Sequence, residues 1–364
     1  MRLPSAMMLL SEWQSCPNSI RNNHRTWYPE RGGTDSRFQH FRSQRCRAAR
    51  EQTARHLPFN AGVHGPTHTL SIAFAHQKSM TTRPLESDLI RAATLIANAD
   101  AVIITAGAGM GVDSGLPDFR GPGGFWKHYP ALAEAGLKFS DIACPQAFED
   151  NPERAWGFYG HRLDLYRRTV PHLGFQILLN IADRLARGAF VFTSNVDGHF
   201  QKAGFPQDRI YECHGSIHHL QCFAPCSHKI WEATFDPEVD EARCHMTSPL
   251  PRCPDCARLA RPNIMMFHDW GWFDERSRAQ ALRLRDWRNS LKKPVVIELG
   301  AGKDIPTVRL YSEEQGRWAP LIRINPRESQ RPGWAKGVSI SLGALEAMNG
   351  ISDALFDLGF WDGA

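Results

Sequence analysis

Residues 101–121 read AVIITAGAGMGVDSGLPDFRG: a short apolar strand, a run of closely spaced glycines, then a charged and aromatic tail. An unbroken apolar strand is what a sheet covered on both faces demands, so the flanking chain must supply helices for each face. Glycines placed directly after such a strand let backbone N–H groups approach a pyrophosphate at a helix N-terminus. Gly107, Gly109 and Gly111 do not fit the dinucleotide spacing G-x-G-x-x-G, so the glycines alone are a weak signal. The tail Ser114-Gly-Leu-Pro-Asp-Phe-Arg120 sets an acid, a ring and a guanidinium just beyond the loop. A site that does chemistry on its own dinucleotide needs such groups.

The rest of the chain keeps that rhythm. Helical apolar spacing starts near residue 85 and recurs at 153–168, 175–187 and 275–291. Short apolar strands are expected at 101–105, 189–193, 209–213, 294–299, 321–325 and 338–341. Strands alternating with helices imply an α/β fold, a doubly wound and mostly parallel Rossmann-like sheet. Residues 217–262 break the alternation and are rich in Cys, Pro and His, which predicts a small inserted metal-binding module. The sheet domain is then expected from 80–216 and 263–350.

Charge is unevenly spread. Residues 1–80 hold 11 Lys and Arg against 4 acids, a net of +7, so the remaining 32 basic and 34 acidic residues carry −2. Without the first 80 residues there is no case for nucleic-acid binding. Residues 1–79 are Arg-rich, acid-poor and aperiodic, which fits a disordered tail, a transit peptide or an over-extended start ahead of Met80. The last is preferred, because MTTRPLESDLIRAATLIANAD has a polar lead and an amphipathic helix. No apolar run is long enough to cross a bilayer, and a cytoplasmic enzyme with no membrane partner is expected.

Two more motifs sit where strands end. Thr193-Ser-Asn-Val-Asp197 lies at the carboxyl end of a strand, the ligand-binding edge of a doubly wound sheet. Asn195 and Asp197 point to one side of an extended backbone, although, taken alone, an Asx turn capping the next helix is the better explanation. Glu212-Cys-His-Gly-Ser216 offers His214 as a general base, but the chain has 16 histidines and most need no such role. Five cysteines (213, 222, 226, 253, 256) fall within 44 residues, with Cys244 among them. Such clustering argues for metal over disulfides. Cys253-Pro-Asp-Cys256 has the C-x-x-C spacing of zinc sites, and Cys222 and Cys226 are its expected partners, with Cys244 or His228 as possible substitutes.

Glycine loop with its S-G-L-P-D-F-R tail, then T-x-N-x-D, then strand-H-G, then the cysteine module: over residues 85–345 this order resembles the sirtuins. The resemblance implies NAD as a consumed cosubstrate, structural zinc, and transfer of an acyl group from protein lysine to ADP-ribose with release of nicotinamide. Acyl-lysine proteins or peptides are the implied partners. By position His214 is the base and Asn195 orients the ribose. Asp197 holds the carboxamide and Phe119 shields the reacting face. Gly107, Ala108, Gly109, Asp118 and Arg120 line the dinucleotide path, joined by Gly300, Ala301 and, in the I-N motif, Asn325. Arg261-Pro-Asn-Ile-Met-Met-Phe-His268 matches the segment that pairs with the substrate backbone, which makes Met266 and Phe267 substrate residues. The family's glycine after that Phe is His268 here. Ala301 and Gly302 also lack the hydroxyls usual after the strand. Trp156-Gly-Phe-Tyr159-Gly-His-Arg162 resembles the branch that removes malonyl and succinyl groups, where Tyr and Arg bind the acyl carboxylate; helix packing with a solvated arginine is the plain reading. A protein ADP-ribosyltransferase and a non-catalytic NAD or ADP-ribose sensor are the alternatives.

Overall fold

A computed structural model of the chain describes residues 82–117, 121–224 and 226–362. Residues 1–79, and Asp118, Phe119 and Arg120 with the roles expected of them, lie outside the described residues.

Six parallel strands form the main sheet: β1 Ala101–Ala106, β2 Ala189–Thr193, β3 Ile210–Glu212, β9 Pro294–Leu299, β10 Leu321–Ile324 and β11 Gly337–Ile340. Their spatial order is β11-β10-β9-β1-β2-β3. The apolar runs follow from this layering. Val102 and Ile104 of β1 face one core with helices Thr82–Ala97, Leu173–Arg184 and Ala344–Asp357. Ile103 faces the other with helices Glu275–Arg288 and Thr307–Gln315. Successive residues therefore enter opposite layers, and the charged Glu298 and Arg323 are buried as a pair at 2.7 Å. The chain runs outward from β1 to β3, then returns to β9 beside β1 and runs outward the other way. That reversal opens a crevice between the β1 and β9 loops, the switch point at which doubly wound sheets bind ligands.

A second cluster stands apart from the sheet. β4 Gly215–Cys222 pairs antiparallel with β5 Ile230–Glu232 and with β8 Ala260–Ile264. β6 Val239–Asp240 and β7 His245–Met246 make a small ladder. Helices Gly121–His128, Pro130–Glu134, Phe139–Ile142, Pro145–Asp150 and Pro152–Arg168 pack here too. Phe125, Leu132, Phe148, Trp156, Phe158 and Leu163 share one core with Ile217, Leu220, Ala260 and Met266. Chain order alone assigns this helical stretch to the sheet domain, while its apolar side chains share a core with those of the cysteine-bearing module. Short helices broken by Pro and Gly gave no long period to read in advance.

Candidate active site

Two loops at the switch point meet backbone to backbone. After β1 the chain forms a 3-10 turn over Ala108–Ser114, where the spacing predicted the start of an α-helix. Gly109 N–H donates to Gly300 O at 3.0 Å, and Gly107 N–H to Leu299 O at 3.0 Å. A Cβ on Gly107 would lie 2.8 Å from Ala301 Cα, and Gly300 holds φ +61° against the Gly109–Met110 peptide. Only glycine fits these positions, which explains the glycines without the usual fingerprint. The turn is fastened from both sides. His172 Nε2 bonds Met110 O at 2.9 Å, its backbone N–H donates to Ser114 Oγ, and Asp113 accepts the Leu345 N–H at the start of the C-terminal helix.

Between these loops and the second cluster lies a cavity of about 450 Å³. Gly107, Ala108, Asn195, Asp197, His214, Met266, Phe267, Tyr159, Arg162 and Ala301 all line it. The elements responsible converge from four directions: the β1 loop, the ends of β2 and β3, the segment after β8, and helix Pro152–Arg168. Gly109, Gly300 and Asn325 do not line it. Asn325 is fully buried, donates to Ala301 O at 2.9 Å and accepts the N–H groups of Arg327 and Glu328. Its amide shapes the β9 loop.

Asn195 donates from Nδ2 to Gly107 O at 3.0 Å, tying the end of β2 to the glycine loop. Asp197 makes the turn expected of its motif and also reaches the cavity. Oδ1 caps the His199 N–H at 2.9 Å, opening helix His199–Lys202, while the buried residue also borders the cavity. His214 follows β3, and its ring stands in the cavity wall. Burial lowers its pKa from the usual 6.5 to about 4, keeping the ring neutral. Its carbonyl accepts Met265 N–H at 3.0 Å, and Gly215 (φ +81°) closes on Asn263 O too tightly for any Cβ.

The far end is aromatic and basic. Arg162 donates from Nε and Nη2 to Tyr166 Oη at 2.9 and 2.7 Å, and its guanidinium lies 5.1 Å from the Phe158 ring centroid. Tyr159 is buried against Phe148, and burial pushes its phenol well up, so it stays a hydrogen-bond donor. The arginine is therefore not the solvated one of the plain reading: it is 8% exposed. The residues that sequence reasoning passed over here are mostly apolar: Leu116, Phe139, Ala143, Ile264, Ile305 and Val308. No residue type marks a dry wall, so nothing in the sequence singled them out.

β8 ends at Ile264, short of the substrate segment. Phe267 N–H donates to Ala143 O, and Met266 N–H to Asp269. His268 takes φ +55°, the left-handed conformation that a glycine would hold without strain. Buried Asp269 pairs with Arg261 at 2.7 Å and accepts Gly271 N–H, so the turn beyond is built rigidly and presents Trp270, 74% exposed.

The four expected cysteines come together. The sulfurs of Cys222, Cys226, Cys253 and Cys256 all lie within 4.8 Å of one another, with Cys222–Cys256 at 3.6 Å and Cys226–Cys253 at 3.5 Å. Tetrahedral zinc with Zn–S near 2.3 Å requires sulfurs about 3.8 Å apart, so the donor set fits a closed structural ion. The C-x₃-C spacing is accommodated. Cys244 and His228 lie outside this cluster: the Cys244 carbonyl packs against Gly157, and His228 pairs with Glu275 at 3.1 Å.

The Sir2 family model matches residues 107–279, a span holding the glycine loop, Asn195, Asp197, His214 and all four cysteines. An NAD-dependent protein deacylase of Daphnia pulex is 31% identical over 201 residues, covering 50% of this chain and 69% of that protein. The chain belongs to the Sir2 family. The mitochondrial NAD-dependent protein deacylase sirtuin-5 of Danio rerio is 33% identical over 202 residues, 51% of this chain and 62% of the relative's length. A Sir2 homolog–NAD complex shares the fold at TM-score 0.55 and 23% identity, covering 78% of this chain and 98% of its own. No helix among the described residues is long and apolar enough to cross a membrane.

Proposed function

We propose that the chain is an NAD-dependent protein-lysine deacylase that prefers acidic acyl groups such as succinyl or malonyl. The observation that carries this reading is the convergence of Asn195, Asp197 and His214 on the cavity whose other end holds Tyr159, Arg162 and Tyr166. NAD supplies the leaving nicotinamide and the ribose that receives the acyl group. The backbones of Gly107, Ala108 and Ala301 form the nucleotide floor. Asn195 orients the ribose, Asp197 accepts the carboxamide N–H, and His214 takes the ribose hydroxyl proton. Leu116, Val196, Ile264, Met266 and Ile305 keep water from a reacting centre that must lose a cationic leaving group. Arg162 presents a charge that a carboxylate-terminated acyl chain can pair with and an acetyl group cannot. Zinc held by Cys222, Cys226, Cys253 and Cys256 would brace the module whose strand β8 leads to Met266 and Phe267.

The test is incubation with NAD and acetyl- or succinyl-lysine peptides, with mass analysis of products. O-acyl-ADP-ribose and a succinyl preference of tenfold or more support the reading. Arg162→Met should erase that preference through loss of succinyl activity. ADP-ribosylated protein in place of acyl-ADP-ribose, or equal rates on both peptides, would overturn it.

A further inference from the structure

We infer that Thr307 is a positioning residue for His214, holding its imidazole in one rotation and one tautomer. The inference rests on the deacylase reading above and extends it to a residue outside the motifs. Thr307 opens helix Thr307–Gln315, at the end of the loop that follows β9. Its Oγ1 lies 3.3 Å from Nε2 of His214, across 93 residues of chain. Nδ1 has no hydrogen-bond partner among the described residues. With Nε2–H donated to the Thr307 oxygen, Nδ1 carries the lone pair and is the nitrogen that serves as base.

Two further contacts make this more than a chance approach. The His214 carbonyl accepts Met265 N–H, which fixes the backbone on one side of the ring. The β9 loop is locked to the glycine loop through Gly300 and Gly109, which fixes Thr307 on the other. The base is therefore held between the substrate segment and the nucleotide floor. Among the described residues the charged side chains lining the cavity are Arg162, Asp197 and Asp304, yet the Nε2 contact is a neutral hydroxyl. When a proton leaves the ribose hydroxyl for Nδ1, the imidazolium shares its charge through Nε2–H to Oγ1. The bond orients the ring, and its oxygen eases protonation of a group that burial otherwise keeps neutral.

Thr307→Val keeps the shape and removes the hydroxyl, whereas Thr307→Ser keeps the hydroxyl. Thr307→Val should slow acyl-ADP-ribose formation about tenfold, with KM for NAD changed less than about twofold. Thr307→Ser should restore most of the rate, and Thr307→Asp should move the acid limb of the pH profile upward by about one unit or more. Histidine ¹⁵N spectra of the free protein should show His214 protonated at Nε2, and Thr307→Val should shift that resonance. Equal rates and pH profiles across the three variants, or a proton on Nδ1 of neutral His214, would sink the inference. If the wild-type protein forms no acyl-ADP-ribose, the deacylase reading fails, while the ¹⁵N spectra still judge the contact.

Discussion

His214 ties the chemistry of the site to the acid stability of the fold. Unfolded, it takes a proton near its ordinary 6.5; folded, burial holds it neutral down to about 4. The unfolded chain thus binds more protons over that window, and stability falls as pH drops from about 6.5 to about 4. His219 adds a loss of the same sign, since burial and then Arg276 and His218 lower it to about 4. Urea unfolding at stepped pH should show this decline, and His214→Asn should flatten part of it. Identical slopes for variant and wild type would place the ring in a more polar setting than the structure gives. His214→Tyr tests the other role: acyl transfer should drop by about 10²-fold or more while the fold persists, as circular dichroism can check.

At the scale of elements, the two nucleotide loops depend on each other. A Cβ on Gly300 would stand 2.4 Å from the backbone of Gly109 and Met110, in a left-handed conformation besides. Gly300→Ala should cost about 2–4 kcal/mol and weaken NAD binding, read by denaturant unfolding and calorimetric titration. A variant that binds NAD normally would show that the loops separate freely. Legibility in the sequence divided along similar lines. The six parallel strands could be read because apolar residues dominate each, and Asn195, Asp197 and His214 could be placed beside the cavity because each follows a strand within a few residues. The 3-10 turn could not, since its shape comes from contact with Gly300, nearly 200 residues away. Nor could Thr307 or the buried amide of Asn325, whose roles exist only once β9 and β10 bring their loops beside β1. Helices 121–150 were missed because Pro and Gly cut them below one clear period.

For the whole molecule, the cysteine module and the helical stretch share a single core, so metal and cavity are linked. Cys222 ends β4, whose first residue Gly215 adjoins His214, and Ala260 of β8 sits beside the cysteines while Ile264 lines the cavity. One equivalent of zinc is expected by elemental analysis. Stripping it, or replacing Cys256 with Ser, should lower Tm by several degrees and abolish acyl transfer while the parallel sheet survives. Retained activity in metal-free protein would separate the module from the site.

The bond from Asp113 to the Leu345 N–H carries a consequence for the far end of the chain. Helix Ala344–Asp357 packs on the first helix of the sheet layer and, through that bond, on the turn that follows the first glycines. A protease nick or a premature stop just ahead of Ala344 therefore does more than uncover Met348 and Ile351. It releases the carboxylate that steadies the turn, so damage at the extreme C-terminal end should be felt first as weaker grip on the nucleotide.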